Sequence, residues 1–306
     1  MKKYIFLICG FLFLPYLANA ATISPSIMEL EANPGETIQT KIKIYNETDQ
    51  DIYLKGYVKV FQPKGENGGA SILPSKIGSQ APDWFALPLN AVALAPDETV
   101  EAPLVVTIPK TADVGGYYVA VTWEISDPKK PANQVSVISQ IANLVLLKVK
   151  GQASEKLSLA EFNLVFPKIY SHLPVDFYVR LENAGNVHLK PQGFLVIKNM
   201  FGRVSQTVPL NEAGSHVLPG SVRKFEVSWN KGETVQGNFW FELKNETKQF
   251  ALGRYTAQVQ IEYGEKRDRL VSQEVSFWVM PWRILLIGAI MIIIIVVLKF
   301  KLKKKE

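Results

Sequence analysis

The 306-residue chain has only one cysteine, Cys9, and it lies inside an apolar N-terminal segment. That segment has the parts of a secretory signal peptide: basic Lys2 and Lys3, an apolar stretch, and an A-x-A site formed by Ala18 and Ala20. We predict that residues 1–20 are removed after Ala20, with an uncleaved N-terminal anchor as the alternative. The mature chain would then contain no disulfide, no zinc–thiolate site and no thiol nucleophile.

Histidine is almost as scarce. His172, His188 and His216 are the only three, and their spacing matches no metal-binding pattern such as H-x-x-x-H. We interpret them as solvated turn residues. The sequence also lacks a G-x-S-x-G elbow, a P-loop and a dinucleotide-binding glycine motif. These absences predict a protein that is not an enzyme, with no catalytic residues, no cofactor and no metal site.

Basic charge is concentrated at the two ends of the chain. Eight of the 34 Lys and Arg residues lie at positions 2, 3, 283 or beyond 298, which leaves 26 basic and 27 acidic side chains in residues 21–282. A nearly neutral body has no basic stripe to follow a phosphate backbone, so we exclude nucleic acid as a partner.

One long apolar run, Ile284–Leu298, lies near the C-terminus. Fifteen helical residues cover ~22 Å at ~1.5 Å each, and the flanking side chains extend this toward the ~30 Å hydrocarbon core. We predict a transmembrane helix at residues 281–299, in contact with membrane lipid; the alternative is a buried core helix, which would need partner helices. The residues expected at the membrane interface are Trp278, Trp282, Arg283, Lys299 and Lys301.

The tail that follows, residues 300–306, is lysine-rich. Positive charge beside a span marks the cytoplasmic side. We therefore predict a single-pass protein of the cell membrane, with its C-terminus in the cytoplasm and residues 21–280 outside it.

Apolar and polar residues alternate through most of the body, which is the period of half-buried β-strands. Segments such as Ile38–Tyr45 and Val175–Glu182 show it clearly, and turn residues separate them. No amphipathic helix is evident before residue 280, and we predict a strand at Asn238–Leu243. The pattern indicates an all-β body.

The two halves of the body resemble each other. In each, a strand ends at an asparagine in a polar turn, Asn46 and Asn183, and a Gly-x-Tyr step opens a later strand, at Gly115–Tyr117 and again 138 residues on at Gly253–Tyr255. We expect the tyrosine ring to pack and its hydroxyl to bond nearby backbone. The repeat predicts two tandem immunoglobulin-like β-sandwich domains, 21–150 and 151–280.

Several segments of the first half carry a family resemblance. Pro34–Thr37, the Asn46 turn, Asp83–Leu87, Leu94–Thr99 and Ile108–Tyr118 follow one another in that order. The series, spread over most of residues 23–125, resembles the first domain of bacterial surface proteins with tandem Ig-like domains, among them the WxL-interacting proteins.

The layout of signal, two β-domains, one span and a lysine tail is also similar to that family. Residues 151–279 match it only at the general Ig-like level. The resemblance implies binding to peptidoglycan or to host or surface partners, without catalysis, and it assigns no individual binding residue.

The segment Gln62–Asp83 is rich in Gly, Pro and Ser and predicts a long loop. Long loops on sandwiches often carry recognition. Trp84 and Phe85 at its end are either a binding pair or core at a strand start. The candidate partner contacts are Lys64, Glu66, Asn67, Trp84 and Phe85.

Three function classes remain. The first is a membrane-anchored binding, adhesion or envelope-scaffold protein whose partner is a protein or a cell-wall polymer. The second is an assembly factor, similar to periplasmic pilus chaperones, that pairs with subunits through an open sheet edge. An envelope hydrolase is the third, and it lacks a nucleophile–base pair.

Overall fold

The computed structural model describes residues 21–74, 79–126, 139–166, 168–232 and 237–303. The predicted signal peptide and its cleavage residues Ala18 and Ala20 lie outside this part of the chain, as do the last three residues of the tail. The described residues form two β-sandwiches and a long C-terminal helix, which confirms the predicted fold class.

Domain 1 contains strands β1 to β10. Their bounds are β1 Ala21–Ser24, β2 Ile27–Ala32, β3 Thr37–Asn46, β4 Ile52–Lys64, β5 Gly69–Ile72, β6 Phe85–Ala86, β7 Ala91–Leu94, β8 Thr99–Thr107, β9 Gly115–Ser126 and β10 Ser139–Val149. One sheet has the order β1-β3-β8-β6, and the other has the order β2-β10-β9-β4-β5, with β7 also paired to β4.

Domain 2 contains strands β11 to β19 and helix α1. Their bounds are β11 Leu157–Leu164, β12 Ile169–Tyr170, β13 Val175–Asn183, β14 Gln192–Asn199, β15 Val204–Leu210, β16 Ser221–Trp229, α1 Phe239–Lys248, β17 Gly253–Tyr263, β18 Asp268–Val271 and β19 Val275–Val279. The sheets are β11-β13-β16 and β12-β19-β17-β14-β15, with β18 also paired to β17.

Alternating side chains from both sheets fill the core of each sandwich. In β13, Val175, Phe177, Val179 and Leu181 are buried while the residues between them are more exposed. A fully buried tryptophan lies in each core, Trp123 in domain 1 and Trp229 in domain 2. The period-2 pattern of the sequence therefore marks the buried faces correctly.

The repeated asparagines have the same structural role in both domains. Asn46 donates from Nδ2 to the carbonyls of Gln50, Leu94 and Ala95, at 2.9–3.1 Å. Asn183 donates to the carbonyls of Val187 and Val217, both at 2.8 Å. Each side chain is fully buried. A short amide satisfies carbonyls that the turn leaves unpaired, which explains why both halves have an asparagine here.

The Gly-x-Tyr steps also have related surroundings. The Tyr117 hydroxyl donates to the carbonyl of Asp113 at 2.9 Å, as expected. Tyr255 is buried, and its ring lies 5.0 Å from that of Trp229.

The start of domain 1 forms two strands that belong to different sheets. β1 pairs antiparallel with β3, and β2 pairs parallel with β10. The chain crosses between the sheets at Pro25, which follows a cis peptide bond and has no backbone N–H to donate to a ladder.

Much of the predicted long loop Gln62–Asp83 that the structure describes lies in regular elements. β4 continues to Lys64, a tight turn with Gly65 and Gly68 at positive φ leads into β5, and residues 81–84 form a 3-10 helix. The glycines that suggested a loop instead supply the left-handed backbone conformation of a hairpin turn.

The prediction of a strand at Asn238–Leu243 is wrong, because helix α1 begins in this segment. The Asn238 side chain accepts hydrogen bonds from the backbone N–H groups of Trp240 and Phe241, which is an N-cap. The aromatic residues favoured a strand by propensity, whereas the cap and the contacts of α1 with the rest of the domain favour the helix.

The C-terminal helix α2 runs from Trp282 to Lys303, and none of its residues is buried. At ~1.5 Å per residue it is about 33 Å long, enough to cross a bilayer. It could span a membrane by length and composition. It extends four residues past the predicted end at 299, so Lys299 and Lys301 are helical.

Replacing Asn183 with alanine should destabilise domain 2. Two buried carbonyls and the Gly185 N–H would lose their partner, at a cost on the order of 3 kcal/mol. Denaturant unfolding of the full chain in detergent measures the change. Asn230→Ala, at an exposed position, is the matched control and should stay near wild type. Equal effects of the two variants would contradict this role.

Candidate partner-binding edge and domain junction

Strand β10 is the second strand of its sheet, and the edge strand β2 covers only half of it. β10 pairs with β9 along its whole length, from Ser139 to Val149. Its pairing with β2 begins only at Leu144. Beyond that point the chain turns at Pro25 into the other sheet. Among the strands that the structure describes, none pairs with residues 139–143 on this side.

The direction of the backbone groups follows from the hydrogen bonds of the covered half. Leu144 N donates to Ser26 O at 2.9 Å, and Lys150 N donates to Ala32 O at 2.8 Å. Alternate residues of a strand point their backbone groups to the same edge. Gln140 and Ala142 therefore present their N–H and C=O groups to the uncovered side. We call residues 139–143 of β10 the open half-edge.

Asn143 marks the boundary between the covered and open halves. Its side chain is fully buried and donates to the carbonyl of Pro25. Its Oδ1 atom is buried and accepts no hydrogen bond within the described residues. An unsatisfied buried acceptor is costly, so a donor brought to this point would be stabilised.

The hairpin of β4 and β5 contacts domain 2. Glu66 at its tip forms a bidentate ion pair with Arg180, with Nε–Oε2 2.8 Å and Nη2–Oε1 2.5 Å. The backbone carbonyl of Glu66 accepts from Lys224 N at 2.8 Å. The hydrogen bond from Arg180 holds the pKa of the Glu66 carboxyl below its usual value. Glu66, predicted as a partner contact, is thus an interdomain contact.

The other predicted partner contacts fall into two groups. Phe85 is buried in the core of domain 1, and half-buried Trp84 packs on Tyr117 with 4.5 Å between ring centroids. The core alternative thus describes this pair. Lys64 and Asn67 are exposed on the hairpin, and their role in binding a partner stays a prediction.

Polar contacts also join the domains near the linker. Asn186 of domain 2 donates to Val114 O at 2.9 Å, and its own carbonyl accepts from Gly116 N at 2.7 Å. Lys148, almost buried at the end of β10, pairs with Glu265 at 2.6 Å and with Glu155 at 3.3 Å. Backbone hydrogen bonds and a nearly buried ion pair at one junction restrict relative motion of the domains.

Two histidines meet at this junction, contrary to the solvated role predicted for them. His216 is 7% exposed and half-buried His188 lies beside it, with 5.3 Å between ring centroids. His188 Nδ1 lies 3.4 Å from the Tyr118 hydroxyl, and His216 Nε2 lies 3.2 Å from Glu29 Oε1. Burial lowers the pKa of His188 to about 4 and also lowers the pKa of His216. The spacing of the histidines in the sequence does not reveal this pair. Leu189 and Val217 form an isolated antiparallel β-bridge, which brings the two preceding residues, His188 and His216, close together.

A metal ion fits this cluster by distance but not by charge. One ligand atom from each of Glu29, His188 and His216 lies within 4.8 Å of the others. However, Lys190 Nζ already lies 3.5 Å from the Glu29 carboxylate, and the positive charge of Arg223 is near enough to oppose protonation of His216. The positive charges of Lys190 and Arg223 disfavour binding of a divalent ion. We therefore interpret the cluster as a contact between the domains in which the charge of Glu29 is neutralised.

A cavity of about 260 Å³ opens between the domains beside this cluster. Its floor is the outer face of the domain 1 sheet, with Ile27, Phe61 and Leu144, and its wall on domain 2 carries Lys190, His216 and Arg223. The cavity begins where β2 starts to cover β10, so it adjoins the open half-edge. The site can therefore offer unpaired backbone groups, an apolar surface and positive charge together.

The geometry supplies no catalytic constellation among the described residues. The side-chain partners of the three histidines are Tyr118, Glu29 and Glu242, a set without the serine, threonine or cysteine nucleophile that a histidine base would activate.

Comparison with known proteins assigns no family to this chain. No protein-family model and no curated protein sequence matches the chain. Among solved structures, the class 5 fimbriae chaperone CfaA is 15% identical with a TM-score of 0.40, and the match covers 84% of this chain and 99% of that one.

Two further chaperones align at a similar level. The Escherichia coli chaperone DraB is 9% identical with a TM-score of 0.38, covering 84% of this chain and 97% of that one. The Pseudomonas aeruginosa CupB2 chaperone is 8% identical with the same score, covering 84% and 100%. The resemblance to WxL-interacting proteins finds no match here and stays a prediction.

The residues predicted at the membrane interface have different surroundings. Trp278 and Trp282 are exposed where β19 passes into α2. Arg283 is mostly buried, and its Nη1 donates to Glu246 Oε1 at 2.9 Å instead of extending toward headgroups. Lys299 and Lys301 are exposed at the far end of α2.

Acid should loosen the junction through His188. Its folded pKa of about 4 lies below the ordinary 6.5, so the folded state favours the neutral ring. The resulting stability is complete above pH 6.5 and declines as the pH falls toward 4. Denaturant unfolding between pH 7 and 4 should show a smaller acid-induced loss in His188→Gln than in wild type. An identical pH profile for the two proteins would contradict the account.

Proposed function

We propose that this chain is a membrane-anchored, extracytoplasmic binding protein that holds an extended segment of a protein partner on the open half-edge of β10. The observation that supports the proposal is the edge itself. Gln140 and Ala142 direct their backbone groups away from β9, on the part of β10 that β2 does not cover. Exposed edges of this kind bind an added strand through main-chain hydrogen bonds, and pockets for alternate side chains give specificity.

The length and surroundings of the open half-edge define the partner segment. Five residues at ~3.4 Å each give about 17 Å of edge. The segment would take the position that β2 occupies farther along, next to Asn143 and the cavity floor at Ile27 and Leu144. The partner segment is therefore expected to be an extended polypeptide in which apolar side chains alternate with other residues. It should carry few or no positive charges where it meets Lys190 and Arg223.

Of the two leading functions predicted from the sequence, this geometry favours the assembly factor over the adhesin. The segment 62–83 was the candidate contact site for the adhesin hypothesis, whereas the tip of that segment is bonded to Arg180 and Lys224 within the chain. The open half-edge is suited to a partner that donates a strand. A role in adhesion or cell-wall binding has no observation here that favours it.

Helix α2 supplies the anchor in this proposal. Trp282–Lys303 crosses the bilayer, and the lysines at its end place the C-terminus in the cytoplasm. The sandwiches then face outward, where partner segments arrive. A tether to the membrane raises the local concentration of the binding edge for partners at the same surface.

The substitution Ala142→Pro tests the proposal. Proline removes the N–H that faces the open side and leaves the β9 ladder bonds of the neighbouring residues in place. Partners crosslinked to the full-length protein in intact cells, and identified by mass spectrometry, should be lost or reduced several-fold. Ala142→Ser keeps the N–H and should retain them.

The fold of both variants is checked by thermal unfolding, where Ala142→Pro should stay close to Ala142→Ser. Undiminished partner capture by a folded Ala142→Pro protein would exclude the open half-edge as the binding site.

A further inference from the structure

One end of domain 2 gathers exposed apolar side chains around the start of α2. β19 ends at Val279 and α2 begins at Trp282, so two residues separate the sandwich from the helix. β12 pairs with this end of β19, and the start of β17 pairs there as well. We call the surface formed here the base of domain 2. It consists of Phe166, Ile169, Met200, Phe201, Phe239, Trp240, Phe241, Phe250, Leu252, Trp278, Met280 and Trp282.

The exposure of these residues is high for side chains of their size. Phe201 is 79% exposed, Trp240 70%, Ile169 69% and Phe166 60%. The residues of the base come from four separate segments of the chain, which meet at one end of the domain. Contiguous exposed apolar patches of this kind mark protein or membrane contacts, because they are costly in water.

Helix α1 is oriented opposite to an ordinary surface helix. Its buried residues are polar, Asn245 and Glu246, followed by Gln249 just past its end, while the aromatic residues of its first turn, Phe239–Phe241, are 41–70% exposed. A helix on a water-facing surface would bury the aromatic residues and expose the polar ones. The orientation fits an environment that is less polar than water on the outer side.

The buried polar side of α1 fixes it to the start of α2. Glu246 is fully buried; it accepts from Ile284 N at 3.0 Å and from Arg283 Nη1 at 2.9 Å. A carboxylate at a helix N-terminus satisfies free N–H groups and the helix dipole. Phe239 also packs on Trp282, with 6.4 Å between ring centroids. The aromatic turn of α1 is thereby held at the level where α2 begins.

Exposed basic residues surround the apolar patch. Lys168 lies between Phe166 and Ile169, and Arg203 follows Phe201 by two positions. Lys231, Lys244 and Lys248 are exposed on or beside α1. The two acidic residues of α1, Glu242 and Glu246, are bonded to His172 and Arg283. Apolar side chains ringed by lysine and arginine match a bilayer surface with anionic headgroups.

We propose that the base of domain 2 is seated in the interfacial layer of the membrane, with the first turn of α1 and the tips at Ile169 and Phe201 inserted among lipids. This inference rests on the proposed span of α2 and goes beyond it, because a span alone would leave the sandwiches free to tilt on a short linker. Interfacial helices insert ~5–10 Å into the headgroup and acyl boundary. A seated base holds domain 2 upright, and the interdomain contacts then hold the open half-edge away from the bilayer.

Single cysteines labelled with an environment-sensitive fluorophore test the seat. Cys9 is the only native cysteine, so it is replaced by serine and one position is labelled in each full-length variant. The protein is reconstituted in bilayer discs of mixed zwitterionic and anionic phospholipid. Labels at Trp240 and Phe201 are compared with one at Thr207, an exposed position farther along β15 in the same domain, and with one at Ile290 inside α2.

Labels at Trp240 and Phe201 should show blue-shifted emission and several-fold stronger quenching by shallow lipid-borne quenchers than the label at Thr207. Emission typical of water at these two positions, with the Ile290 label buried in lipid, would refute the membrane contact of the base. The transmembrane span of α2 would still be supported. A water-exposed label at Ile290 would refute the span and the seat together. Labels shielded from both water and lipid quenchers would show that a second copy or another protein covers the base.

A variant of the connecting carboxylate gives an independent measurement. Glu246→Ala removes the cap of α2 and the partner of Arg283, so α1 should detach from the helix start and lipid quenching at Trp240 should fall. Phe201 lies on another segment, and quenching there should persist. Glu262→Ala is the control, because Glu262 on β17 forms an exposed ion pair with Arg269 on β18. This substitution should leave quenching at both labels unchanged. Unchanged quenching at Trp240 in Glu246→Ala would contradict the coupling of α1 to α2.

Discussion

The incomplete pairing of β10 is the constraint on which the functional account depends. The preceding strand β1 lies in the opposite sheet, and the chain crosses at Pro25, so β2 begins only opposite Leu144 of β10. The pairing therefore stops at Leu144. The sandwich gains a strand in each sheet from one segment, and among the described strands none pairs with the outward backbone groups of Gln140 and Ala142 on β10. Natural sheets usually protect such edges, and the proposed function uses this one to bind a partner strand.

The rest of the molecule holds this edge in a defined position. Glu66 and Arg180 join the domains on one side, and Asn186 and Lys148 join them near the linker. The base of domain 2 then meets the start of α2 through Glu246. These contacts form a continuous connection from the start of α2 to the open half-edge. In the proposed arrangement, they would therefore set the orientation of the open half-edge relative to the bilayer.

Much of the fold could be predicted from the sequence because it is local. Period-2 alternation marks the buried strand faces, and the repeated Asn46 and Asn183 turns reveal the two similar domains. The binding edge could not be predicted, since it depends on where β2 ends against a strand more than a hundred residues away. The pairing of His188 and His216 is non-local in the same way. Helix α1 was missed because its aromatic residues suggested a strand, although Asn238 is a readable N-cap signal.

Amide hydrogen exchange of the full-length protein in bilayer discs, without any partner, tests the central claim most directly. The account predicts rapid exchange at Gln140 and Ala142, whose N–H groups face the open side, and slow exchange at Leu144 and Leu146, which β2 covers. Neighbouring Ile141, bonded toward β9, should also be slow. Equally slow exchange at Gln140, Ala142 and Leu144 would mean that the edge is already covered, and the proposed mode of binding would be wrong.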